Sequence, residues 1–323
     1  MEKNKIKNFI VTRQQWIGFV ILIAALFYAY ITVLFESEEI ALDIIYAILF
    51  VFLIVGLVRQ FIRESDESKK IRFNDLDALF VIIAVFFTYS LSHFLGISVV
   101  LASSMTGLLG YFLVKKHQLA VYCGSFAGMV SVSLFGFLEV SVLALVCAFI
   151  FILTKPLFKG YGGKLGTVAF LSSLIVHSIF ADDFITVSIS FNTFLLILTT
   201  ILGVLITFYF KHFFKVSAVF ASALPSFIFA LIFICFIPEH YDYVVVYFSA
   251  SFIGMSSEKR LKNVYYVLLS GIVLGLIYDL FIEFFNGLGG KLGLMAMISV
   301  IITSGISMLL DKMKKRRRGK VYE

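Results

Sequence analysis

Two lysines, Lys164 and Lys291, occupy nearly the same nine-residue setting. Residues 158–166 read Phe-Lys-Gly-Tyr-Gly-Gly-Lys-Leu-Gly and residues 285–293 read Phe-Asn-Gly-Leu-Gly-Gly-Lys-Leu-Gly, identical at seven of nine positions. Glycines such as Gly162, Gly163 and Gly166, or Gly289, Gly290 and Gly293, let backbone amides come close to a ligand. A glycine-rich turn that opens a helix aims N–H groups and a partial positive charge at whatever lies in front of it. The ammonium of each lysine adds a full charge, so the set suits a carboxylate or phosphate. The simpler role is a turn between packed helices, with each lysine snorkelling to a lipid headgroup. A nucleotide P-loop is excluded, because leucine follows each lysine where GxxxxGK[ST] needs serine or threonine.

A second pair carries hydroxyls. Ser125-Phe-x-Gly128-Met-x-Ser131 recurs as Ser251-Phe-x-Gly254-Met-x-Ser257. The small residues predict close helix packing, and the alternative is a broken helix whose serines and freed carbonyls coordinate a cation or substrate near the membrane midplane. Asp279 and Glu283, four apart on one helix face, are the intramembrane carboxylates that could couple an ion. His93 and His177 fall near the ends of apolar stretches, where hydration is expected.

Other chemistries find no constellation. Cys123, Cys147 and Cys235 sit in apolar runs without metal-ligand or redox spacing. HExxH and GxSxG are absent, so neither a metal, a cofactor nor enzymatic activity is expected, and no nucleic-acid partner.

The elements that must position these residues follow from composition. The chain has 323 residues, 61% of them apolar and 15% charged, and a mean hydropathy of +1.02. Long uncharged apolar runs, each near the ~20 residues that cross a bilayer, predict an all-α polytopic membrane protein. Continuous rather than alternating runs exclude a barrel. Twelve spans are predicted, at 16–35, 40–62, 79–95, 97–114, 119–138, 139–158, 165–180, 187–210, 216–238, 244–257, 263–285 and 292–310. Spans seven and ten are short, and Pro225 should kink span nine.

Charge fixes the expected orientation. With both termini cytoplasmic, every one of the 27 basic residues except Lys291 falls in a cytoplasmic segment. The basic start, Met1–Gln15, reads as the flank of an uncleaved first helix. Residues 1–62 form an expected N-terminal helix pair, 63–78 a cytoplasmic loop and 311–323 a basic cytoplasmic tail.

The two motif pairs keep offsets of 127 and 126 residues, which marks a duplication. Residues 79–183 and 184–310 then form two five-helix repeats. Five is odd, so the second is inverted in the membrane, which places the first glycine motif at the cytoplasmic face and the second at the outer face.

This organisation resembles that of secondary transporters whose halves carry glycine-rich re-entrant loops, such as the citrate and glutamate symporters. The resemblance is one of organisation, and no residue role is carried over from it. It implies an alternating-access transporter in the cell membrane, with the bilayer as its surroundings and an anionic small solute or lipid head group as cargo. A membrane scaffold or accessory subunit of an envelope-assembly or export complex is the alternative from another class. A lipid-modifying enzyme would need acid–base residues clustered at one face.

Overall fold

The computed structural model describes residues 2–36, 40–66, 75–180, 184–185 and 191–319. Among these the chain forms twelve α-helices and no strand. They are α1 (Glu2–Glu36), α2 (Ile40–Asp66), α3 (Asp75–Leu95), α4 (Val99–Leu113), α5 (Gln118–Ala127), α6 (Phe137–Thr154), α7 (Lys164–Phe180), α8 (Thr193–Phe213), α9 (Ala218–Phe236), α10 (Asp242–Gly254), α11 (Val264–Phe281) and α12 (Lys291–Gly319). Eight are long and apolar enough to cross a membrane; α4, α7 and α10 are apolar but shorter. The chain is an all-helical, membrane-embedded protein.

Local sequence explains several helix ends. Asn192, Ser217 and Asn263 each accept a hydrogen bond from the backbone N–H three residues on, which caps α8, α9 and α11. Gly96, at φ +62°, stops α3. Pro225 lies inside α9, which continues through it as one helix.

One predicted span is broken. Residues 119–138 form only the ten-residue α5, followed by a non-helical segment over 128–136. At 1.5 Å per residue α5 is about 15 Å long, half the hydrocarbon thickness. At the basic ends α1 begins at Glu2 and α12 continues to Gly319. Half of the expected loop at 63–78, residues 67–74, and one side of the expected boundary at 183–184 lie outside the described residues.

Packing follows a repeated scheme. Helix α3 packs on α5 and α6, and α8 packs on α10 and α11. Helix α4 lies against α9, and α7 against α12. The glycines of α5 and α10 serve the first of these contacts. A Cβ on Gly128 would lie 2.5 Å from the Val85 carbonyl oxygen of α3, and one on Gly254 would lie 2.8 Å from the Val204 oxygen of α8. The small-residue faces therefore seat on α3 and α8 and not on each other. What α5 and α10 turn toward each other is aromatic, with the Phe126 and Phe252 rings 4.7 Å apart. Helix α2 joins this core through Gly56 and Gly305, where α2 and α12 cross backbone to backbone. Its other face exposes Ile44, Ile48, Val51 and Val58, apolar side chains that hydrocarbon would cover.

Candidate functional site

The two glycine motifs adopt one conformation. Phe158, Gly160 and Gly163 have φ of 46°, 80° and 82°; Phe285, Gly287 and Gly290 have 57°, 86° and 84°. A left-handed phenylalanine costs roughly 1–2 kcal/mol. Burial of both rings offsets this: Phe158 stacks on Phe19 at 5.3 Å, and Phe285 meets Phe170 edge-on at 5.4 Å. Each motif is tied to the serine that closes the other half's hydroxyl motif. Ser257 N donates to the Gly160 carbonyl and Ser131 N donates to the Gly287 carbonyl, both at 2.9 Å.

The motifs also meet each other, which corrects the expectation that they sit on opposite faces. A Cβ on Gly166 would lie 2.6 Å from the Cα of Gly293, and one on Gly293 would lie 2.5 Å from the Cα of Gly166. Gly163 abuts the Gly293 carbonyl and the Met297 amide; Gly290 abuts the Gly166 carbonyl and the Phe170 amide. The first turns of α7 and α12 therefore run antiparallel in contact. Two membrane surfaces are ~30 Å apart, so motifs in contact cannot lie one on each. The orientation rule places the ends of the flanking helices, but does not limit how far a loop dips between them.

The lysines turn back onto the helices that precede them. Lys164 Nζ donates to the carbonyls of Thr154 and Lys155 at 2.8 and 3.0 Å, at the end of α6. Lys291 Nζ donates to the Ile282 carbonyl at 3.1 Å, just after α11, and to Asn286 Oδ1 at 2.7 Å. Lys155 and Ile282 are counterparts by the 127-residue offset. Each ammonium thus satisfies carbonyls that a helix C-terminus leaves without partners, and it lies at the negative end of the helix dipole.

The hydroxyl motifs are mostly bonded internally. Ser125 Oγ donates to the Tyr122 carbonyl and lies 2.9 Å from Ser103 Oγ on α4. Ser251 Oγ donates to the Phe248 carbonyl and lies 2.7 Å from Ser222 Oγ on α9. Ser131 Oγ pairs with Ser133 Oγ at 2.8 Å. These contacts join α4 to α5 and α9 to α10.

Two cavities flank the glycine contact. The first, of about 550 Å³, is lined by Gly162, Gly163, Lys164 and Leu165 with Lys155 and Lys159. The second, of about 210 Å³, is lined by Gly290, Lys291 and Leu292 with Ile282 and Asn286. Lys155, Lys159 and Lys164 correspond by offset to Ile282, Asn286 and Lys291. The cavities lie at opposite ends of α10: Phe252 and Met255 border the first, Asp242 and Val245 the second. Ten residues of helix separate Asp242 from Phe252, about 15 Å.

The expected coupling carboxylates are elsewhere. Asp279 and Glu283 are exposed, Asp279 accepts a hydrogen bond from Tyr46 of α2 at 3.3 Å, and neither lines either of these two cavities. Asp279 faces α2, and Glu283 follows the end of α11. His177 is 3% exposed and stacks on Phe184 at 4.4 Å, not hydrated as expected.

Two polar clusters had no motif to announce them. Asp77, at the start of α3, is 4% exposed and binds Lys155 and, at 2.7 Å, His117 Nδ1. Arg260 donates to the Lys159 carbonyl at 2.9 Å and to Gln60 Oε1 at 3.0 Å, and its guanidinium lies 4.3 Å from the Tyr161 ring centroid. Tyr161 Oη also donates to Gln60, so this buried cluster clamps the first glycine motif to α2. Arg260 counts only as a loop charge in the sequence; its position three residues after Ser257, inside the repeated unit, was the available signal. Among the described residues no three His, Cys, Asp or Glu side chains converge as metal ligands would. No family model matches the chain, and no curated protein or solved structure is detectably similar to it.

Proposed function

We propose that the chain is a secondary transporter that works by alternating access, built from two inverted repeats, α3–α7 and α8–α12, with α1 and α2 as an added pair. The observation that carries this reading is the pair of cavities. Residues at corresponding positions line both, they lie at opposite ends of α10, and they differ in size. Backbone contacts of Gly163 and Gly166 with Gly290 and Gly293 form the barrier between them. Two equivalent halves can exchange conformations, which would close the large cavity and open the small one. Repeated packing of α3 with α5 and of α8 with α10 supports the duplication.

Charge supplies the sidedness. Lys155, Lys159 and Lys164 border the larger cavity, which on the orientation rule faces the cytoplasm, as do both termini in the cell membrane. The same lysines favour an anionic solute or lipid head group as cargo. No covalent chemistry and no cofactor enter this cycle, and the spans twelve in number include the broken α5.

Cysteine accessibility tests the cycle without a known substrate. Cys123, Cys147 and Cys235 are replaced, and Lys159→Cys or Asn286→Cys is introduced alone or together. A membrane-impermeant maleimide is applied to right-side-out and inverted vesicles. The two sites should react from opposite faces. A bulky adduct at position 159, holding the large cavity open, should slow reaction at 286 by about tenfold, an equilibrium shift of ~1.4 kcal/mol. Reaction of both sites from one face, or rates independent of each other, rejects alternating access.

A further inference from the structure

We infer that the larger cavity binds an amphiphilic anion: a single carboxylate or phosphate head on an aromatic or aliphatic body, with Lys159 as the head's principal contact. The substrate role of this ligand rests on the transporter reading; its binding does not. The cavity's volume of about 550 Å³ is that of a site for a molecule with a body, not for a bare ion.

Its lining divides by chemistry. Leu119, Phe126, Phe252 and Met255 form an apolar wall, with the two rings 4.7 Å apart and tilted at 51°. A small hydrophilic anion would leave this wall facing water. Lys155, Lys159 and Lys164 supply its charged groups, and no carboxylate lines the cavity. A neutral apolar ligand would strip water from ammonium groups and give nothing in return. Only a molecule with both parts satisfies both kinds of lining group.

The three lysines are not equivalent. Lys155 is bound to Asp77, which compensates its charge. Lys164 holds the end of α6. Lys159 is exposed, and its backbone is fixed by Arg260 while its side chain projects from a motif held in one conformation. The smaller cavity has Asn286 in place of Lys159, Ile282 in place of Lys155, and an acid, Asp242. At about 210 Å³ it has less room, and a single lysine, Lys291, beside that acid.

The test is equilibrium binding to purified protein in phosphatidylcholine nanodiscs, followed by calorimetry. The probes are 4-phenylbutanoate, hexyl phosphate, 4-phenylbutanamide and acetate. Phenylbutanoate and hexyl phosphate should bind at least about tenfold more tightly than the amide or acetate. Lys159→Gln should weaken the two amphiphilic anions by about tenfold and leave the amide unchanged, while Lys159→Arg keeps binding. Unchanged thermal unfolding of Lys159→Gln shows that it folds.

Repeating the titration with phosphatidylglycerol in the disc separates the sources of such a ligand. Competition marks an anionic lipid, and its absence a free amphiphile. Acetate or the amide binding as tightly as phenylbutanoate overturns the inference, as does a folded Lys159→Gln variant with full affinity. Binding without reciprocal cysteine labelling would overturn the transporter reading alone, and labelling without binding would overturn this inference alone.

Discussion

Gly166 and Gly293 touch backbone to backbone, on helices that both open with Lys-Leu-Gly. No side chain fits between them, because a Cβ on either would fall 2.5–2.6 Å from the other's Cα. Gly166→Ala or Gly293→Ala must push α7 from α12, at a cost of about 1–3 kcal/mol for overpacking a filled site. Thermal unfolding in detergent should show both variants clearly destabilised. Gly136→Ala is the control, since its nearest neighbour is the movable Glu139 side chain. Equal unfolding temperatures for Gly166→Ala and Gly136→Ala would contradict the close approach.

The lysines make a different prediction. Lys164 and Lys291 each cap the helix before their own motif, with two hydrogen bonds apiece. Charge-assisted bonds of this kind contribute about 1.5–3 kcal/mol each. Lys164→Met should therefore speed amide hydrogen exchange at residues 155–161, and Lys291→Met at 282–288, with little change in α3 or α8. Exchange that stays slow in both, with ligand binding abolished, would assign the ammonium groups to a ligand and not to the fold.

How much of this was legible in the sequence can be argued from the same residues. Apolar runs of membrane length located every helix, because hydrocarbon selects composition directly, but not the ends of α1, α5, α8 and α12. The break after Ala127 was hidden, since Val130 to Leu138 is as apolar as a helix would be. Ser131 instead gives its N–H to Gly287, a partner more than 150 residues away, and no local pattern encodes that bond. The glycine pair was legible as a repeat but not as a contact. Its lysines suggested an anion site because the carbonyls they bind lie nine or ten residues upstream of each, within reach only once the motif folds back. Asp279 and Glu283 were misleading for a related reason. Their spacing implied a shared helix face, but α11 ends at Phe281, before Glu283, and only packing decides which way Asp279 looks.

Arg260 should prove a structural arginine that lysine cannot replace. It is 8% exposed, it bonds Gln60 and the Lys159 carbonyl with separate nitrogens, and its plane lies on Tyr161. An ammonium offers no plane and cannot reproduce the fork. Arg260→Lys and Arg260→Ala should both lose roughly 3 kcal/mol, the scale of hydrogen bonds to a buried charge. Guanidinium-free denaturation by heat would measure it. A lysine variant with wild-type stability would show that only charge matters at this position.

The unequal charge of the two cavities predicts unequal affinities. Lys159 faces the larger cavity, and its counterpart Asn286 faces the smaller one beside Asp242. An anion that enters both should therefore bind more weakly from the side of the smaller cavity. Asn286→Lys gives that side a second lysine beside Lys291, at a position that borders the space, in exchange for the hydrogen bond that Asn286 accepts from Lys291. One ammonium ~4 Å from an anion in a partly hydrated site interacts at about 4 kcal/mol, of which repulsion from Lys291 removes part, so the gain should be visible as about tenfold. Exchange of 4-phenylbutanoate across proteoliposomes of defined orientation would read it as a lower half-saturation concentration on one face only. Added salt should reduce that gain, because an exposed charge is screened over ~10 Å at 0.1 M ionic strength. An equal change on both faces, or none at low salt, would mean that the two cavities do not present these counterpart residues to the same ligand.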